Sequence, residues 1–464
     1  MEQHDSPMLC DSSSSKSENS AEKGMIEPSS FDSLHSDLSD PIKGFNKVKR
    51  QGSRSSIGEQ PESNSWLQHR KHFFILSNSG KPVWTRYGDE SRLSSLMGVV
   101  QAIISFFQDS DDTIKTIHAG EHSFVFLLKE PLYYVCVSRT GESDSQLRDQ
   151  LLYLHNQILS VLTNVQLTKI FEQRVNFDLR RLLGGTEIFL DSLSTSFSHD
   201  HSFMLSALQC LRVNKSIRDQ VGSILAEGKV KNMLYALIVS KGRLVTLLRP
   251  RKNSLHPSDL LLLFNMLNGS STFHTAESWT PLCLPKFNSK GFLHAYICYI
   301  EKDTSIVVIS MDKGNFFEIS EWKTKIVDLL QKQDVLANIK QGGYTVEDTQ
   351  VPSLLHFIYK SKVQVQFTTP ELSGIYLEDE NKKRLHRLYQ HLHDRMHHRA
   401  RPLKLYYMNG EKETLLGWIT SSFELYVVFP SDTPKQLIIS SSNQLLRWIK
   451  KNEDNLFILN SPIF

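Results

Sequence analysis

The sequence has 464 residues, with 53 Lys and Arg against 50 Asp and Glu and a formal charge of +3. That length accommodates roughly two to four domains, and so even a balance excludes a dedicated nucleic-acid binder, which carries a strongly basic domain. The five cysteines, Cys10, Cys136, Cys210, Cys283 and Cys298, stand far apart and form no Cys-x-x-Cys pair, so zinc and dithiol redox motifs are absent. Cys136 and Cys298 fall in apolar, strand-like runs, read as buried thiols in a reducing compartment.

From residue 1 to 68 the chain is dominated by Ser, Asp, Glu, Lys and Gln. Such a segment buries too little apolar surface to offset the entropy of ordering, so a disordered tail is expected. It has no apolar core of the kind a secretory signal needs. Lys43, Lys47, Lys49, Arg50 and Arg54 make a basic stretch beside Ser53, Ser55 and Ser56, and these serines are the phosphorylation candidates. Elsewhere, apolar runs such as Leu260–Phe264 fall short of the ~20 residues that span a bilayer. Cytoplasmic placement, with peripheral membrane contact only, is the expectation.

Ordered patterning starts at His72. His72–Ser77 and Pro82–Tyr87 read as a hairpin around Asn78-Ser79-Gly80-Lys81, and Glu90–Gln108 reads as a helix. Strands are predicted at Thr113–His118, Ser123–Lys129 and Leu132–Ser138. Helices follow, with Leu147, Leu151, Leu154 and Ile158 on one face and another pattern at Leu167–Phe171. Two strands, a helix, three strands and then helices is the longin order.

A second round predicts a helix over Leu205–Leu225, strands at Asn232–Ser240 and Gly242–Leu248, and a helix at Pro257–Leu267. Strands at Phe292–Ile300 and Ser305–Met311 and a helix at Phe316–Gln333 complete it. A third has strands at Leu354–Lys360 and Val363–Thr368 and a helix at Asp379–His398. Strands at Lys404–Met408, Glu413–Ile419 and Glu424–Phe429 precede a helix near Leu445–Lys450. The expected architecture is α/β (α+β): three tandem units over 69–195, 196–340 and 341–464, each a mostly antiparallel sheet flanked by helices.

Particular stretches carry a resemblance. KHFFILSNSGKPVWTRYGDE (Lys71–Glu90), LLGGTEIFLDSL (Leu182–Leu193) and RPRKNSLHPSDLLLLFNML (Arg249–Leu267) resemble the Mon-one family of vacuolar fusion proteins, from about Leu67 onward. The resemblance implies three tandem longin domains, a partner called Ccz-one with the same architecture, and joint guanine-nucleotide exchange on a late-endosomal Rab GTPase. It also implies recruitment by an early-endosomal Rab, a third regulatory subunit in animals, and phosphoinositide binding at endosomal and lysosomal membranes. No cofactor is implied.

No bond-breaking chemistry is visible. P-loop, Gly-x-Ser-x-Gly and His-Glu-x-x-His patterns are missing, and His118-Ala-Gly-Glu-His122 falls at a strand turn, where a zinc-protease helix is excluded. His393 and His397, four apart, have the spacing of two metal ligands, against the plainer reading of a solvated basic helix face; beyond nearby Asp394 no third ligand is evident. Exchange needs no nucleophile. It needs a surface that prefers the empty GTPase, because coupling between two ligands is reciprocal.

The predicted helix over Glu90–Gln108 offers such a surface. Leu93, Leu96, Met97, Val100, Ile104 and Phe107 form its core stripe, while Val99, Ile103 and Phe106 form a second one, giving an apolar arc of about 180° where ~100° serves a one-sided helix. Either neighbouring domains bury the second stripe, or it meets a partner subunit or the GTPase. Trp84 is a further interface candidate, with a core role as its alternative. Lys382, Lys383, Arg384, Arg387 and Arg395 on the Asp379–His398 helix are the phosphoinositide candidates, against a merely solvated face. The alternative to exchange is a non-catalytic longin scaffold or tether that recruits Rab GTPases.

Overall fold

The computed structural model describes residues 69–88 and 93–463. The expected disordered tail, with Ser53, Ser55 and Ser56, lies outside the described residues.

The first unit comprises β1 (Lys71–Ser77), β2 (Pro82–Thr85), helix α1 (Ser94–Asp109), β3 (Thr116–Ala119), β4 (His122–Lys129), β5 (Leu132–Ser138) and helix α2 (Asp144–Val161). Its antiparallel sheet runs β2-β1-β5-β4-β3. Alternation along the strands divides two cores, because successive side chains point to opposite faces. Tyr133 and Val135 pack with Met97, Val100 and Ile104 of α1; Tyr134 and Cys136 pack with Leu147, Leu151, Leu154 and Ile158 of α2. Ser143 opens α2 through a capping box with Gln146. His118–His122 spans the β3–β4 turn.

After helix α3 (Glu187–Ser196), the second unit contains helix α4 (Lys215–Ala226), β7 (Met233–Ser240), β8 (Arg243–Leu248), helix α5 (Pro257–Gly269), β9 (Ser278–Leu284), β10 (Ser289–Glu301), β11 (Thr304–Ser310) and helix α6 (Phe316–Lys332). The sheet order β8-β7-β11-β10-β9 repeats the first topology. Helix α5 is apolar all round: Leu260, Leu261, Leu262 and Leu263 are each buried. They lie in one core with α2, α3 and strands of both sheets, so α5 sits sandwiched where a surface helix would show a polar face. Asn265 fastens it by donating from Nδ2 to Phe189 O at 2.8 Å and Gln157 Oε1 at 2.9 Å.

Two expectations in this unit change. The single helix predicted over Leu205–Leu225 is broken: a short helix ends at Leu205, Ser206 adopts a left-handed backbone with φ of 48°, and α4 starts afresh behind an Asn214 side-chain cap. Between them, β6 (Leu208–Gln209) pairs in parallel with the third sheet. Strand β9 went unpredicted because Pro281 interrupts its pattern. It lies at the sheet edge, where a missing N–H is tolerated.

The third unit has β12 (His356–Ser361), β13 (Gln366–Thr368), helix α7 (Asp379–Met396), β14 (Leu405–Asn409), β15 (Glu413–Ile419), β16 (Phe423–Pro430) and helix α8 (Lys435–Lys451). Its sheet, β14-β15-β16-β12-β13-β6, is the same topology extended by a strand from residues assigned by sequence to the second unit. The C-terminal segment returns to the second unit, where buried Arg218 of α4 donates to the carbonyls of Asp454, Asn455 and Phe457 at 2.6–3.0 Å and to Leu211 and Val245. No helix among the described residues is long and apolar enough to cross a membrane.

Candidate functional site

Helix α1 covers one face of the first sheet with Met97, Val100 and Ile104, and nothing in the described chain covers its opposite side. Val99 is 42% exposed and Phe106 68% exposed, while Ile103 is half-buried. Neighbouring domains therefore do not account for the second stripe. Phe106 and Phe107 meet edge to face at 5.6 Å, which joins the outward stripe to the core stripe.

Trp84 belongs to the core. It is 2% exposed and presents no surface to a partner. Arg86, just past the end of β2, reaches α3 instead, with Nη1 3.0 Å from Asp191 Oδ1 and Nη2 donating to Thr195 at 2.8 Å.

The basic run on α7 separates into three groups with different surroundings. Leu385, Tyr389, Leu392 and Met396 bury one stripe against the third sheet. Arg384, predicted to face anionic lipid, instead donates to Glu413 of β15, a carboxylate only 5% exposed. A buried carboxylate requires such a partner, so Arg384 is withdrawn from the membrane candidates. Arg387 and Arg395 are exposed. Lys382 and Lys383 are exposed as well, and both line a cleft bounded by all three units.

Another side of α7 docks on the first unit. His386 Nε2 donates to Phe197 O at 3.2 Å, Gln146 Nε2 donates to Gln390 O at 3.2 Å, and Gln390 Nε2 donates to Glu142 Oε1 at 3.0 Å. Glu142 also receives Lys71 Nζ at 2.7 Å. Burial works against its charge, yet Lys71 and hydrogen bonds from Thr140 and Gln150 outweigh that and hold its pKa below the ordinary value.

His393 and His397 do gain a third group, and it comes from β16. Donor atoms of His393, His397 and Glu424 all lie within 4.8 Å of one another. Asp394, the nearby acid in sequence, is not among them. The Glu424 carboxylate is already balanced, with Lys360 Nζ at 3.3 Å, Lys362 Nζ at 3.8 Å and His397 Nε2 at 3.1 Å. Burial raises its pKa, but the His397 hydrogen bond, the Lys360 ammonium and the Tyr426 hydroxyl, donating at 2.9 Å, bring it down to about 2. Two ammonium groups so close favour an ion-pair network over a divalent cation, by simple charge repulsion.

Sequence reasoning missed the cleft, because its cations lie about 140 residues apart on β8 and α7 and no linear motif joins them. Arg243 and Lys383 both line it.

Comparison with known proteins agrees with the three-unit fold. Models of the first, second and third longin domains of FUZ, MON1 and HPS1 match residues 71–193, 231–328 and 353–453. A vacuolar fusion protein MON1 homolog A from Gallus gallus is 44% identical over 407 residues, covering 86% of this chain and 74% of that protein. A protein SAND from Takifugu rubripes is 44% identical over 411 residues, covering 87% and 79%. A MON1 homolog B from Mus musculus is 37% identical over 452 residues, covering 92% and 82%. With a repeated 2-1-5-4-3 strand order in three successive sheets and relatives of this similarity, the chain belongs to the MON1 family of vacuolar fusion proteins.

Proposed function

We propose that the chain is one subunit of a heterodimeric guanine-nucleotide exchange factor. It acts with a Ccz-one partner on a late-endosomal Rab GTPase during endosome maturation and vesicle fusion. The observation carrying this reading is the apolar face of α1, with Val99 and Phe106 exposed on a chain of the vacuolar fusion family. Exposed apolar residues grouped on one element mark association surfaces. A shared surface of two such subunits binds the nucleotide-free GTPase more tightly than the loaded form, and the GTPase's affinity for nucleotide falls by the same factor.

An early-endosomal Rab acts as recruiter and a third subunit as regulator in this reading. Arg387 and Arg395, exposed on α7, supply reversible contact with phosphoinositide-bearing membrane, at about 1 kcal/mol per cation near an anionic leaflet. Lys382 and Lys383 extend that basic surface.

The test is release of a fluorescent guanine nucleotide from the late-endosomal Rab with this chain, its partner, and both. Acceleration of about tenfold or more by the pair, equivalent to lowering the barrier to release by at least about 1.4 kcal/mol, is expected, with little from either subunit alone. Binding without acceleration identifies a scaffold instead.

A further inference from the structure

The cleft where the three units meet has a volume of about 830 Å³, within the span of small-molecule sites, roughly 300–1,000 Å³. One wall is the β7–β8 turn, with Lys241 and Arg243; another is the first turns of α7, with Lys382 and Lys383. Lys241 and Gly242 both have positive φ, 51° and 69°, which is the backbone of a tight hairpin turn.

The cations retain capacity for a ligand. Lys241 spends one donor on Gly342 O at 3.0 Å, leaving two of the three an ammonium carries. Arg243 approaches Glu371 at 3.6 Å through Nη1 alone. Among the described residues, Lys382 and Lys383 have no ion-pair partner. Two carboxylates, Asp200 and Asp379, also line the cleft, but Asp200 is engaged as the cap of a short helix, accepting from Ser202 N at 2.8 Å.

An independent observation comes from two histidines on the same wall. His201 and His386 stack at 4.8 Å, and the Nδ1 atoms of both are buried without a hydrogen-bond partner. His386 is 4% exposed, and its Nε2 already donates to Phe197 O. Its Nδ1 in the neutral ring is therefore an acceptor lacking a donor, and buried polar groups are normally satisfied.

We propose that this cleft binds a soluble phosphorylated polyol, such as an inositol polyphosphate. Cations held on separate units facing one space require several anionic groups to bridge them, which a single phosphate does not supply. The unpartnered Nδ1 of His386, a buried acceptor in the cleft wall, calls for a hydroxyl donor, which the polyol ring carries. Such a ligand ties the second unit to the third and acts as a clamp on the arrangement of domains. The proposal goes beyond nucleotide exchange and does not depend on it.

The probe is inositol hexakisphosphate, titrated calorimetrically into the full chain at about 0.15 M salt, where long-range screening is strong. One molecule per chain is expected, with a rise in melting temperature because the ligand binds the folded state. Arg243→Gln and Lys383→Glu should each weaken binding by about tenfold, as for loss of a charge-assisted hydrogen bond. Lys325→Glu and Lys332→Glu, on exposed cations of α6 outside the cleft, should leave it unchanged. Equal loss from both pairs, or no saturable binding by wild type, overturns the assignment. Vesicles containing phosphatidylinositol phosphates form the second arm. Vesicle binding unaltered by Arg243→Gln supports a soluble occupant; parallel loss of vesicle and soluble binding makes the occupant a lipid headgroup and overturns it.

Discussion

Arg384 shows how one cation in a basic run differs from its neighbours. The buried Glu413 carboxylate depends on it, so Arg384→Ala leaves a charge uncompensated and should cost about 3 kcal/mol of stability. Arg387→Ala, on an exposed cation one turn later, should stay within about 0.5 kcal/mol. Thermal melts of the two variants check the contrast. Sequence displayed the run but not Glu413, 29 residues on, as the partner of one member. The buried histidines set a second expectation. Burial holds His155, His356 and His386 each at about 4, below the unfolded value. The unfolded chain then binds more protons as pH falls, so their stabilising contribution is complete above about pH 6.5 and declines below it, by up to about 1.4 kcal/mol per pH unit for each ring. Melting temperature should drop steadily between pH 7 and pH 5; a flat profile contradicts the burial argument.

At the scale of elements, α1 and α7 were both legible as helices, and the surplus apolar stripe of α1 was legible as a surplus. What covers a stripe is a tertiary fact, and only the fold shows that the described chain leaves Val99 and Phe106 uncovered. Val99→Asp with Phe106→Asp should therefore leave folding nearly intact, since surface changes usually fall within about 0.5 kcal/mol, while co-purification of the partner is lost. Met97→Asp, at a fully buried position, should unfold the unit instead. Where sequence failed, backbone geometry or sheet position decided: a left-handed Ser206 divided one expected helix, and an edge position admitted Pro281 into β9. Helix α8 extends ten residues earlier than predicted, because Ser441 and Ser442 are buried and turn their hydroxyls onto backbone carbonyls of Pro352 and Ile438. Of the candidate site, the basic residues were readable one by one, but their division among cleft, ion pair and solvent was not.

For the whole molecule, the units do not stand alone. The first and second share a core through α5 and α2, so a fragment of residues 69–195 exposes apolar surface that α5 normally covers. That fragment should bind a hydrophobic dye and lack the near-ultraviolet dichroism of fixed aromatic packing, whereas the full chain should show neither defect. The Arg218 hub ties the C-terminal segment to the second unit more closely still. Its guanidinium occupies the interior of the second unit yet relies on carbonyls of Asp454, Asn455 and Phe457. During synthesis this second unit emerges from the ribosome long before those acceptors exist. A nascent chain stalled near residue 440 should therefore be cut readily by protease around α4, and become resistant once residues beyond Phe457 have cleared the exit tunnel.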